Sequence, residues 1–212
     1  MHFKLRLILV SALLSVALAD AEVTLDGSVG PPSINPGDPV AAGNGYTYDI
    51  TADLGEQAGQ NLFHSFDLFN IDSGEHANFS GPTSIINIVS RVTGGSSSIS
   101  GSITSSISGA SLWLVNPAGF IFTDGAVVDV DGTFHLSTAD YLEFADRARY
   151  FSNLSDRSTL STGEISSFGF LENSSGAIKI TSSLAASGEV DAREHNLSVI
   201  SDAIALSNVN LY

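Results

Sequence analysis

From Tyr46 onward the apolar residues come in short runs: Tyr46 to Ile50, Leu62 to Ile71, Ile85 to Val92, Leu112 to Val115, Phe120 to Phe122, Val127 to Val130 and Phe134 to Leu136. Gly, Asn, Asp, Ser or Pro punctuates nearly every gap, and short runs between such residues predict strands. Asn116-Pro117-Ala118-Gly119 and Thr123-Asp124-Gly125 predict turns on either side of a three-residue strand. Asn61 to Ile71 reads as two strand segments that feed Phe63, Phe66 and Phe69 into a core, an aromatic binding surface being the alternative. Ala139 to Tyr150 keeps a helical alternative, because Glu143 and Arg147 stand four residues apart. Before the first run, Asp26 to Asn44 carries Gly30-Pro31-Pro32 and Asn35-Pro36-Gly37-Asp38-Pro39, which cannot hold a helix and predicts a loop or irregular cap.

The pattern also repeats. Leu112 and Leu114 recur as Phe134 and Leu136 at an offset of 22, and Ile178, Ile180 and Val190 recur as Leu197, Val199 and Val209 at an offset of 19. Periods of ~20 residues built from short strands predict a solenoid of stacked rungs. Residues 94 to 109 have the Ser/Gly composition of a linker, but Ile99, Ile103 and Ile107 stand at every fourth position and predict short stacked segments. A solenoid end exposes unpaired backbone, so an irregular Pro-rich segment ahead of the first rung makes sense as its cap.

Composition narrows the function classes. The chain has 212 residues, no cysteine and a formal charge of −15, from 8 Lys plus Arg against 23 Asp plus Glu. That balance argues against nucleic acid and against an anionic membrane surface as partners. Without cysteine there is no disulfide, no thiolate metal site and no cysteine nucleophile, and no cofactor is expected. Charged residues make up only 15%, against ~25% in ordinary globular domains, as in a chain whose surface is Ser, Thr, Asn and Gly. The first residues read as an export signal: basic at Lys4 and Arg6, apolar from Leu7 to Leu18, with cleavage between Ala19 and Asp20. Removing that leader takes the charge to −17. No later segment resembles a transmembrane helix, so no stable membrane insertion is expected.

Several longer stretches occur in a recognisable order. They are Gly59 to Phe66 (GQNLFHSF) with Phe69-Asn70-Ile71, Gly74 to Phe79 (GEHANF), Asn87 to Gly95 (NIVSRVTGG), Leu112 to Phe122 (LWLVNPAGFIF), Phe134 to Phe144 (FHLSTADYLEF) and Phe168 to Leu171 (FGFL). From about Val23 to the C-terminus the chain resembles the filamentous haemagglutinin N-terminal family, the two-partner secretion or haemagglutination activity domain of bacterial exoproteins. The resemblance implies an all-β chain: a right-handed parallel β-helix behind an irregular β-rich N-terminal cap. It divides the sequence into a signal peptide (1–19), a cap region (20–58) and a two-partner secretion β-helix domain (59–212) cut short within further repeats.

The resemblance also implies a route. Such chains cross the inner membrane by the Sec system and present this domain to the periplasmic recognition domains of an outer-membrane barrel transporter. The β-helix then folds outside, so the expected location is extracellular or on the outer-membrane surface. The expected function is the N-terminal domain of an adhesin- or haemagglutinin-like exoprotein, with host or cell-surface glycans or proteins as further candidate partners. The residues implicated are Asn87, Ser90, Arg91 and Val92, and the turn Asn116, Pro117, Ala118 and Gly119. The turn has two readings, structural corner and transporter contact, because turn chemistry alone accounts for its residue types. The family usually has a second asparagine where Ala118 stands. Arg91 has two readings as well: pairing with an acidic neighbour, or meeting the transporter.

Rival classes are visible. Parallel β-helices host polysaccharide lyases and hydrolases, and fold does not decide function. Asp124, Asp129 and Asp131 lie close together, with His135 four positions after Asp131; on a strand Asp129 and Asp131 would point the same way, suiting paired carboxylates or a cation. Asp131-Gly132 is equally an ordinary turn. Arg147, Arg149 and Arg157 form a basic cluster that reads as a solvated face or as a contact for an anionic partner. The alternatives to an exoprotein are therefore a polysaccharide-active or carbohydrate-binding β-helix, or a truncated non-functional relic.

Overall fold

The computed structural model describes residues 23–43, 46–171, 176–181 and 197–207. Within them the chain is all-β and winds into a solenoid of about 5 turns, apart from one 3-10 turn at Ala52–Leu54. Each rung has three sides. The first face stacks Asn61–Phe69, Asn87–Val92, Ser111–Val115, Phe134–Ser137 and Leu197–Ile200 in parallel. The second stacks Thr47–Thr51, His76–Ser80, Ser102–Ser105 and Val127–Asp129. The third stacks Ser97–Ile99, Phe120–Phe122, Ile178–Ile180 and Ile204–Leu206.

Register explains the core. On the first face Leu62, Ile88, Leu112 and Phe134 lie in one column, so like side chains sit over like through the inside of the coil. The offset of 22 is this pairing: Leu112 opposes Phe134 and Leu114 opposes Leu136. Ile99, Ile103 and Ile107 are fully buried, one at the third face, one at the second and one at the corner leading back to the first. The Ser/Gly tract thus supplies two of the three sides of a rung, and its small residues make the corners between faces.

The offset of 19 does not hold. Ile178 and Ile180 pair with Ile204 and Leu206 on the third face, whereas Leu197 and Val199 pair with Phe134 and Leu136 on the first. The match aligns the third side of one rung with the first side of the next; Val190 and Val209 lie outside the described residues. What breaks the period is an insert between Phe134–Ser137 and Ile178–Ile180. It forms an antiparallel sheet with Tyr141–Phe144 between Arg149–Phe151 and Ile165–Gly169.

The helical alternative at Ala139 to Tyr150 is therefore replaced by two strands. Leu142 and Phe144 alternate with Tyr141 and Glu143, and burying that alternate pair suits a sheet. Arg147 takes a left-handed φ of 67° in the turn, and it is Arg149, not Arg147, that pairs with Glu143, at 2.8 Å.

Asn61–Phe69 is a single nine-residue strand rather than two segments. Its pairing with Val23–Leu25 shifts register between Thr24 and Leu25, which face Leu68 and Phe66. This bulge resolves the mixed aromatic spacing: Phe63 points outward into a second core under the insert, while Phe66 and Phe69 both enter the inner core. Val23–Leu25 runs antiparallel along the outer edge of that strand, Asp38–Pro39 pairs antiparallel with Val23–Leu25 beyond it, and Glu56–Ala58 pairs with the strand's start. The first rung's open edge is thereby covered. Among the described residues no helix is long and apolar enough to cross a membrane.

Candidate functional site

The turn Asn116 to Gly119 makes the corner from the first face to the third. The Gly119 N–H donates to the Asn116 carbonyl at 3.0 Å, closing a β-turn. The Ala118 N–H donates to Asn116 Oδ1 at 2.9 Å, the local bond that suits asparagine to turns. Asn116 Nδ2 reaches the preceding corner, donating to the Gly95 carbonyl and to Ser97 Oγ, both at 3.0 Å. Asn116 is fully buried and both ends of its amide are used. Gly119 has φ 102°, and a Cβ there would lie 2.6 Å from the Ala177 carbonyl of the next corner. Pro117 is half-buried and accepts from the Gly176 N–H at 2.6 Å; Ala118 is exposed. The corner is a stacked joint, and Ala118 is its open tip.

Arg91 is 3% exposed. Its Nε donates to Ser65 Oγ at 2.6 Å, one terminal nitrogen to Ser158 Oγ at 2.9 Å and to the Phe151 carbonyl, and the other to Ser28 Oγ at 2.8 Å. The guanidinium lies 4.4 Å from the Tyr150 ring centroid. The acidic neighbour exists, but the contact is relayed. Asp26 accepts from Ser28 Oγ and Ser65 Oγ, both at 2.5 Å, and from Thr93 Oγ1 at 2.9 Å, so one hydroxyl stands between the carboxylate and Arg91. Burial works to raise the Asp26 carboxyl, yet these bonds outweigh it and hold the group below its ordinary 3.8. Burial pushes the Tyr150 phenol up, and its hydroxyl donates to the His64 carbonyl at 2.9 Å.

Three other implicated residues lie on the same strand as Arg91. Asn87 donates to Asn61 Oδ1 at 2.9 Å and accepts from Trp113 Nε1 at 3.1 Å. Asn61 in turn donates to the carbonyls of Ser161 and Gly163 at 2.9 and 2.8 Å. Val92 is fully buried in the inner core. Ser90 is also fully buried, opposite His64 in register, and neither Ser90 Oγ nor His64 Nδ1 has a hydrogen-bond partner. His64 Nε2 faces the Thr51 carbonyl at 3.2 Å, so that nitrogen carries the proton. Burial drives the His64 pKa from 6.5 to about 4, with the Thr51 carbonyl pulling the other way.

The rival constellation comes apart. The strand ends at Asp129, and Asp131 falls in the following corner, where its carboxylate accepts from Ser108 Oγ and the Gly109 N–H at 3.0 and 3.2 Å. Asp124 is exposed in its turn. His135 belongs to the first face and stacks on Trp113, with centroids 3.5 Å apart and planes 10° apart; burial lowers its pKa to about 4. Asp129 is on the second face, so histidine and aspartate serve different sides of the rung. Arg149 pairs with Glu143 and lies 4.5 Å from the Tyr141 ring centroid, while Arg147 and Arg157 are exposed. Ala19 and Asp20 lie outside the described residues.

Asp26, Ser28, Ser65, Asn61 and Tyr150 escaped the sequence reading. Asn61 had a signal: Asn61-Leu62-Phe63 and Asn87-Ile88-Val89 share one pattern, and their asparagines bond across 26 residues. A family model described as the TPS secretion domain matches residues 22–211. No curated protein and no solved structure matches the chain.

Proposed function

The chain belongs to the TPS secretion domain family, of the filamentous haemagglutinin N-terminal type, and from that premise we propose how its fold and its export are linked. The family makes it a two-partner secretion substrate carrying a β-helix, and an exoprotein-targeting domain. The finer reading is that residues 1–19 are a cleaved leader, residues 20–58 a cap region whose Thr47–Thr51 strand already joins the second face, and residues 59–212 the β-helix of an adhesin-like surface protein. Its partner is an outer-membrane barrel transporter with periplasmic recognition domains.

One observation carries the reading of the address. Ser90, Arg91, Val92 and Asn116 are buried, and Arg91 and Asn116 direct their polar groups into the fold. A transporter that reads these side chains must meet them before the rungs stack. In that reading the same residues act twice: as an address in the extended chain, then as joints of the solenoid. Folding withdraws the address, so a chain that has folded outside has no site left by which to return. Apart from the half-buried Pro117, Ala118 is the one member of its turn left at the surface, so its side chain is the least engaged by folding.

Co-expression with the transporter tests this. Deleting residues 59–122, which removes both motifs, should abolish export, while Ala118→Ser should leave it at the level of the original chain. Export that survives the deletion would contradict the assignment.

A further inference from the structure

The inner core is built from neighbours, each rung stacking on the one before, and a solenoid of that kind can assemble rung by rung. The outer side of the first face is built differently. Phe63, Val89 and Val115 belong to three successive rungs, and all three pack into one cluster with the insert that follows the fourth. Phe63 has the Tyr150 ring at 5.0 Å and the Phe144 ring at 5.9 Å.

The insert also closes the polar groups of the first two rungs. Asn61 donates to the carbonyls of Ser161 and Gly163 across 100 and 102 residues. Arg91 donates to Phe151 and Ser158 across 60 and 67, and Tyr150 reaches the His64 carbonyl across 86. Arg91 meanwhile holds Ser28 of the cap. One buried guanidinium therefore ties together the cap, two rungs and the insert, and its bonds are complete only when all of them are present.

The geometry points to residues 139–163 acting as a strap that closes on the first rungs. The segments 61–69, 87–92 and 141–151 open and close as one cooperative unit, not rung by rung. For a chain that folds as it emerges, a consequence that rests on the export reading above, the domain stays open until residue 163 has been delivered. Closure is then a checkpoint: early rungs cannot lock while their chain is still being presented. The cooperativity belongs to the chain alone and is tested without a transporter.

Native-state hydrogen exchange on the full chain carrying Ser158→Ala reads it. Ser158 bonds Arg91 and the Phe151 backbone, so its loss weakens the strap while leaving every core side chain in place. Exchange in 61–69 and 87–92 should rise by the same factor as in 141–151, ~10-fold for a bond of the usual net strength. A rise confined to 141–151 would overturn the proposal. Pulse labelling of the unsubstituted chain during refolding gives a second reading. Protection of 61–69 and 87–92 should appear together with that of 141–151; protection of the two rungs before the insert would also overturn it.

Discussion

Tyr150 lies with its ring centroid 4.4 Å from the Arg91 guanidinium and its hydroxyl 2.9 Å from the His64 carbonyl, so one side chain of the insert caps a buried charge and closes the backbone of the first rung. The position of Arg91 sets the first prediction. Arg91→Ala leaves the Asp26 carboxylate buried without a cation nearby and strands four acceptors. It should lower stability by about 3–5 kcal/mol, the range for breaking a buried charge network from one side. Arg91→Lys should rescue little, since an ammonium cannot serve Ser65, Ser28 and Ser158 together. Urea denaturation midpoints of the two variants check both.

The corner at Asn116 gives a second. Asn116→Ala removes two bonds to the preceding corner and one to Ala118, and should cost about 2–3 kcal/mol from one buried group. Gly119→Ala should cost about 1–3 kcal/mol, because a Cβ meets the Ala177 carbonyl and φ is 102°. Ala118→Ser, at the exposed tip, should change stability by under about 0.5 kcal/mol. Thermal or urea unfolding distinguishes the three.

Acid sensitivity follows from the histidines. His64 and His135 both have pKa values lowered to about 4 by burial, so each stays neutral in the fold after its unfolded counterpart has begun to protonate near 6.5. The unfolded state then binds more protons, and stability is full above pH 6.5 and falls as pH drops toward 4. Asp26, held below 3.8, extends the loss to lower pH. The slope should approach ~1.4 kcal/mol per pH unit for His64, with a smaller share from the half-buried His135. His64→Gln keeps a donor for the Thr51 carbonyl and should flatten the profile between pH 6.5 and 4 in urea midpoints measured at several pH values.

Core packing supplies a fourth. Phe66 is fully buried among Phe69, Phe79 and His64. Phe66→Ala should cost about 3–5 kcal/mol through lost burial and the cavity left behind. The loss of near-ultraviolet signal with retained strand content at low urea would measure it.

Much of this architecture was legible because it is local. Leu112 and Leu114 repeat as Phe134 and Leu136 since those two rungs are consecutive and uninterrupted, and Ile99, Ile103 and Ile107 mark two sides and a corner of one rung. The repeat failed at Ile178 because the insert separates stacked strands that would otherwise follow at a short period. The asparagine corner was visible in its residue types, which have few other uses in that order. The surroundings of Arg91 were hidden for the opposite reason. Its partners Ser28, Ser65 and Ser158 are hydroxyls in a serine-rich chain, drawn from three distant segments, and nothing in their spacing distinguishes them from surface serines. The bulge opposite Thr24 and Leu25 was hidden as well, because it depends on how the cap strand pairs.

Arg91 and Asn116 are buried in the fold, so under the proposed address the folded state and the transporter compete for the same side chains. Capture by the immobilised periplasmic region of the transporter tests this most directly. Chain diluted freshly out of urea should be captured and then released at the rate at which it folds, and fully folded chain should not be captured. Equal capture of folded and freshly diluted chain would contradict it.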